Sequence, residues 1–113
     1  MTIDSYSFGK IKINGKDHTA DLIIFTNRIN SKWWRKEGHL VRLEDLEEVL
    51  VERPEILIIG SGYYGLMRVD DNVVEKFGND NISVIVLKTQ NAVDRYNSLF
   101  KKKKVAAALH LTC

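Results

Sequence analysis

The chain predicts one three-layer α/β domain over residues 1–113, built on a mixed sheet, and two patterns carry that prediction. From Leu43 onward the apolar residues switch repeatedly between helical and strand spacing, giving α-β-α-β-α-β. Strands separated by helices pair in parallel, so this half predicts a parallel sheet with helices on its faces. Ahead of it, Asn14-Gly15 divides two strand-like runs, and that dipeptide favours a tight antiparallel hairpin because both positions tolerate positive φ.

The elements follow in order. Ser5 to Asn14 reads as a strand, with Ile11 and Ile13 alternating with Lys10 and Lys12. Its partner should start near His18 and run through Ala20 to Phe25, where Leu22-Ile23-Ile24 is apolar on both faces and so belongs inside a sheet. Asn27 to Val41 has no helical period and predicts a strand or irregular crossing, broken at Gly38. Leu43, Leu46, Val49 and Leu50 mark a helix to Glu52, stopped by Pro54. Ile56-Leu57-Ile58-Ile59 is a buried strand running into Gly60-Ser61-Gly62-Tyr63-Tyr64-Gly65. Asp71 or Asn72 should cap a short helix carrying Val73, Val74 and Phe77, with Asn72 and Glu75 at capping-box spacing and Gly78 as the exit. Ile82 to Leu87 is the next strand. Asn91 should open a third helix with Ala92, Val93, Tyr96, Leu99 and Phe100 on its buried side, closed by Lys101 to Lys104. Val105 to Leu111 is the last strand, and Ala106, Ala107 and Ala108 leave room for close packing on both faces.

Composition narrows the functional classes. A chain of this length buries enough surface to fold without a metal or disulfide, and its one cysteine, Cys113, has no intramolecular partner. A reducing, cytoplasmic setting is therefore expected. The first residues carry no secretory pattern and no apolar run is long enough for a membrane helix, so no membrane association is expected. A net charge of +2 does not imply an electrostatically held partner. Lys101 to Lys104 lack interleaved aromatics and suit a helix C-terminus, so nucleic acid is not expected either.

The glycine loop matches GxGxxG, yet a dinucleotide fold needs a helix to begin inside that motif and an acid about 20 residues on. Here Leu66-Met67-Arg68-Val69 intervene and the next strand ends at Lys88, so no nucleotide cofactor is expected. The glycine-rich backbone remains able to offer N–H groups to an anion. In open α/β sheets ligands sit beyond the carboxyl ends of the strands. Those ends gather Gly60, Ser61, Gly62, Lys88, Thr89 and His110 as candidate ligand-binding residues, against the plainer reading of Thr89 before a cap and His110 as a core histidine. Trp34, Arg35 and His39 in the crossing segment join them as a lid. An enclosed Arg35 keeps its charge and needs an acid, for which Asp21 or a bound anion near Gly60 to Gly62 would serve. Arg35 or His39 should then share a cavity with Ser61 or Lys88. Ser61, His39 or His110, and Asp21 are also the residue types of a nucleophilic triad, but Ser61 is not centred in GxSxG. His110 and Cys113 lack a second ligand pair, so no metal is expected.

Several of these residues together resemble a known family. Tyr6 to Gly15 with Asp21, Trp34-Arg35 with Gly38-His39, Ile58 to Gly62, Thr89 with Ala92, Tyr96-Asn97, and Ala106 to Cys113 are similar to the Mth-type domains of the domain of unknown function 498 family. The resemblance implies the same mixed-sheet fold and no established activity. Its relatives include a mitochondrial complex I assembly factor, which acts with protein partners, and an adipogenesis-associated Mth domain-containing protein. The expectation is a binding or assembly-type domain that recognises a protein partner or a small anionic ligand. The alternative is a small enzyme acting on an anionic metabolite at the strand ends.

Overall fold

The computed structural model describes residues 1–113. Its centre is a five-stranded sheet of β4 (Leu22–Ile24), β5 (Ile29–Asn30), β7 (Ile56–Ser61), β9 (Ser83–Leu87) and β10 (Val105–His110), in the order β5-β4-β10-β7-β9. The strands β10, β7 and β9 are mutually parallel, whereas β4 runs antiparallel to β10 and to β5. This is the mixed sheet expected from alternating helices and strands behind a hairpin. The innermost position goes to the alanine strand: Ala106, Ala107 and Ala108 are buried on both faces between β4 and β7.

One face is covered by α1 (Glu47–Glu52), α2 (Asp71–Asn79) and the crossing segment. There Leu46, Val49, Val73 and Phe77 pack with Trp33, Val41 and Met67 onto Ile23, Leu57, Ile59, Ala106 and Ala108. The other face carries α3 (Thr89–Leu99) and a separate antiparallel sheet of β1 (Ile3–Ser7), β2 (Lys10–Ile13) and β3 (Lys16–His18). Ala92, Val93 and Tyr96 join Ile3, Ile11 and Ile13 over Ile58, Ala107 and Leu109. Asn97 fastens these two parts, donating to Ile3 O at 2.8 Å and accepting from Ile3 N at 3.0 Å. A small parallel pair, β6 (Leu40–Val41) with β8 (Arg68–Val69), ties the crossing segment to the chain beyond the glycine loop.

Several boundaries differ from the sequence expectation. The Asn14-Gly15 hairpin forms, with φ of 49° and 80°, but its return strand ends at His18. Leu22–Ile24 then enters the central sheet, so one expected strand serves two sheets. A second turn at Gly9 (φ 77°) likewise divides the first run into β1 and β2. Leu43–Leu46 is a 3-10 turn ahead of α1, and Arg53 ends that helix in the left-handed region before Pro54. Asp70 rather than Asp71 or Asn72 stands at the N-cap of α2, which runs through Gly78 and reverses at Asn81 with φ 62°. Lys88 stands at the N-cap of α3, three residues earlier than Asn91 implied, because Thr89 is drawn inward by hydrogen bonds from outside the helix.

Candidate functional site

At the carboxyl end of the parallel strands, Asp21, His110 and Ser61 lie side by side on the face that carries Trp33. His110 pairs in register with Ser61, and Asp21 precedes the strand that meets His110 from the other side. Alternation along each strand fixes this shared face, because Ile23, Ala108 and Ile59, two residues inward, line that core.

Asp21 is the hub. Its Oδ2 accepts from Arg35 Nη2 at 2.9 Å and from His110 Nδ1 at 2.7 Å, and its Oδ1 accepts from Leu111 N at 2.8 Å. A carboxylate only accepts, so the His110 proton sits on Nδ1. The 3.3 Å approach of Arg35 Nη2 to that nitrogen is then two donors converging on one oxygen, not a further hydrogen bond. Burial pushes the Asp21 carboxyl up, but the bonds from His110, Leu111 N–H and Arg35 outweigh it and hold it below the usual carboxylate range. Arg35 is clasped from its other sides. Its Nη2 also donates to Gly38 O at 2.8 Å, and its guanidinium lies 4.5 Å from the Trp33 ring, which anchors itself by Nε1 to Asp45 O at 2.9 Å. Only 5% of the Arg35 side chain is exposed. Arg35 Nε and Nη1 and His110 Nε2 are buried without a hydrogen-bond partner.

His39 sits above this cluster, its ring edge-on to His110 at 5.8 Å and its Nε2 3.9 Å from Cys113 Sγ. Trp34 does not join them. It is 76% exposed and lines a groove with Ala20, Asp21, Lys32 and Trp33, so Trp33 is the core tryptophan.

On the other side of His110 the glycine loop is stitched shut. Thr89 Oγ1 donates to His110 O at 2.6 Å and accepts from Gly62 N at 2.9 Å, while Thr89 N donates to Gly62 O. Tyr63 N donates to Thr112 O and Gly65 N to Gly62 O, so these loop amides are already engaged within the protein. Gly60 is required by close approach, since a Cβ there would stand 2.9 Å from both Leu109 Cδ2 and Thr89 Oγ1. Ser61 is buried and its hydroxyl donates to Leu87 O at 3.1 Å rather than to a histidine, so no nucleophilic triad assembles. The aliphatic stem of Lys88 rests against Gly65, near Ser61 Oγ, and the residue itself is exposed. The expected cavity joining Arg35 or His39 to Ser61 or Lys88 is not formed: none of the five cavities is lined by these residues, and the Trp34 groove touches the cluster at Asp21 alone. The two groups of candidates meet through His110 instead, by strand register. No cluster of three or more histidine, cysteine, aspartate or glutamate side chains has metal-binding geometry.

Beside this polar row stands an aromatic surface that the sequence did not reveal. Phe8, Tyr63, Tyr64 and Leu66 are each about half exposed. Phe8 meets Tyr63 at 5.8 Å and Tyr64 at 6.2 Å, and the two tyrosines meet at 5.1 Å. Tyr6 completes the group at 6.4 Å from Tyr63, its hydroxyl donating to Leu111 O at 2.8 Å. The Gly9 turn reaches the glycine loop because Gly9 N also donates to Leu111 O. Tyr63-Tyr64 set between glycines was the available signal; what was not visible was the hairpin turn that faces it.

The fold places the chain in the class of small mixed-sheet α/β domains, and here the strand ends carry a largely enclosed Asp-Arg-His cluster. The chain belongs to the family described as protein of unknown function (DUF498/DUF598), whose model matches residues 3–110. Similar solved structures include a conserved hypothetical protein from Pyrococcus horikoshii, 29% identical over all of both chains with a TM-score of 0.85. The protein MT938 is 29% identical over 99% of this chain and 98% of its own, with a TM-score of 0.84. An outer membrane protein from Bartonella henselae is 27% identical over 98% of this chain and 94% of its own, also at 0.84. In this chain no helix is long and apolar enough to cross a membrane.

Proposed function

We propose that this is a recognition domain that binds a protein partner through the aromatic surface of Phe8, Tyr63, Tyr64 and Leu66. The observation that carries the reading is that surface: three aromatic rings held in mutual contact yet left open to solvent, with Leu66 exposed on the same loop. Aromatic residues, phenylalanine among them, are enriched at protein interfaces, and tyrosine is among the residues in which binding energy concentrates there. The Asp21-Arg35-His110 cluster supports it from beneath. Its charge is compensated and its bonds hold Leu111, the residue to which both Tyr6 and the Gly9 turn are fastened. The residues of catalytic type thus position a binding surface.

Photo-crosslinking tests this. A benzophenone side chain in place of Tyr64 should capture a protein in cells, whereas the same group at Val51, 83% exposed on α1, should not. Excess wild-type chain should compete the Tyr64 product away, and excess Tyr63→Ala/Tyr64→Ala chain should not. Equal competition by both would end the proposal.

A second reading, an enzyme for an anionic metabolite, draws on Arg35 Nε and Nη1, buried without an acceptor, with Lys88 exposed at the same carboxyl end of the parallel strands, beyond β9. It predicts thermal shifts with small carboxylates or phosphates, about 2.7 kcal/mol at 100 times the dissociation constant, abolished by Lys88→Ala. A screen without such shifts removes it.

A further inference from the structure

The central sheet ends very differently at its two edges. At one side β5 has two residues, Ile29–Asn30, set between Arg28 and Lys32, a short and charged edge of the kind that discourages pairing. At the other, β9 is Ser83-Val84-Ile85-Val86-Leu87, five residues without a charge, a proline or a bulge, paired on one side only. Ser83 N donates to Glu55 O, so Ser83, Ile85 and Leu87 turn their backbone groups inward to β7. Alternation then turns the N–H and C=O of Val84 and Val86 outward, where no protein acceptor or donor meets them. The side chains at this edge are open as well. Val86 is 42% and Val74, on the neighbouring α2, 50% exposed.

We infer that β9 pairs antiparallel with β9 of a second copy of this chain, joining two five-stranded sheets into one across a twofold axis at Ile85. The register follows from the backbone. With Ile85 opposite its own copy, Val84 of one chain faces Val86 of the other, and every outward N–H and C=O of these residues is satisfied reciprocally, as an isologous contact requires. A partner strand of unrelated sequence would satisfy the same backbone groups, but the flanks select a second copy. On the α2 face the groove beside β9 is lined by Val74, Gly78, Asn81, Ile82, Ser83 and Val84 and carries no charge, so like meets like without repulsion. On the α3 face the groove beside Leu87 presents Asp94 and Arg95 on adjacent helical positions. A twofold axis brings the Arg95 of one chain towards the Asp94 of the other, a self-complementary pair.

Sedimentation across a concentration series tests the inference. The wild-type chain should associate reversibly to twice its 13.0 kDa mass. Val86→Lys places an ammonium on the joined edge from a position already exposed, and should weaken association about tenfold or more with an unchanged near-ultraviolet spectrum. Asp94→Arg and Arg95→Asp should each weaken it, and the two together should restore it. The amides of Val84 and Val86 should exchange more slowly in the wild-type dimer than in Val86→Lys. A chain that stays at 13.0 kDa throughout, or a dimer indifferent to Val86→Lys, would overturn the pairing.

Discussion

Asp21 shows how much of the strand-end architecture rests on one carboxylate. It neutralises Arg35, fixes the tautomer of His110 and holds Leu111 N. Asp21→Asn removes the charge and leaves the guanidinium, whose side chain is 5% exposed, without its counterion. Breaking such a pair from one side costs about 3–5 kcal/mol, which urea denaturation at neutral pH should show. The pH dependence has a definite sign. The unfolded carboxyl titrates near ~4, and the folded one is held lower, so the stabilisation is complete above that pH and is lost as pH falls through the folded value. Wild-type stability should therefore drop on acidification below about 4, and Asp21→Asn should lack that component. Tyr6 and Tyr96 behave oppositely. Burial pushes both phenols up to about 12, so their stabilisation is present below the ordinary tyrosine value and is lost as pH climbs towards 12. A spectrophotometric titration should show both ionising late, and Tyr6→Phe should delete one late step.

At the scale of elements, packing was more legible than boundaries. The small residues of β10 announced a strand covered on both faces, and Ala107 is fully buried between Ile24 and Ile58. Ala107→Leu should therefore destabilise by roughly 1–3 kcal/mol through overpacking, measured as a lower denaturant midpoint with an unchanged slope. Gly60→Ala should do likewise, because its methyl would press on Leu109 and on the Thr89 hydroxyl that stitches three strand ends. The helices start away from their local capping signals where distant partners claim the chain. Asn72-Glu75 has capping-box spacing, yet Asp70 stands at the start of α2, where its N–H donates to Val41 O in the small β6-β8 pair. Thr89 likewise begins α3 because Gly62 and His110 bind it, and neither lies near it in sequence. Periodicity reports which face of an element is buried; it does not report which neighbour claims its ends.

For the whole molecule, the order of helices and strands predicted the mixed three-layer sheet because parallel crossover rules leave few arrangements. The candidate site was legible in part. Strand-end topology singled out Ser61, Thr89 and His110, and the charge of Arg35 pointed to Asp21, which is its partner. The aromatic surface was not legible, since Phe8 meets Tyr63 only after Gly9 and Tyr63 each bind the chain beyond β10. The most direct test of that surface is calorimetric titration of the purified partner identified by crosslinking at position 64. Tyr63→Ala/Tyr64→Ala should weaken binding by about 2 kcal/mol or more, the loss typical of an interface anchor, with the thermal midpoint held, because both rings are already half exposed. Equal affinity for the variant and the wild type would contradict a recognition role for this surface.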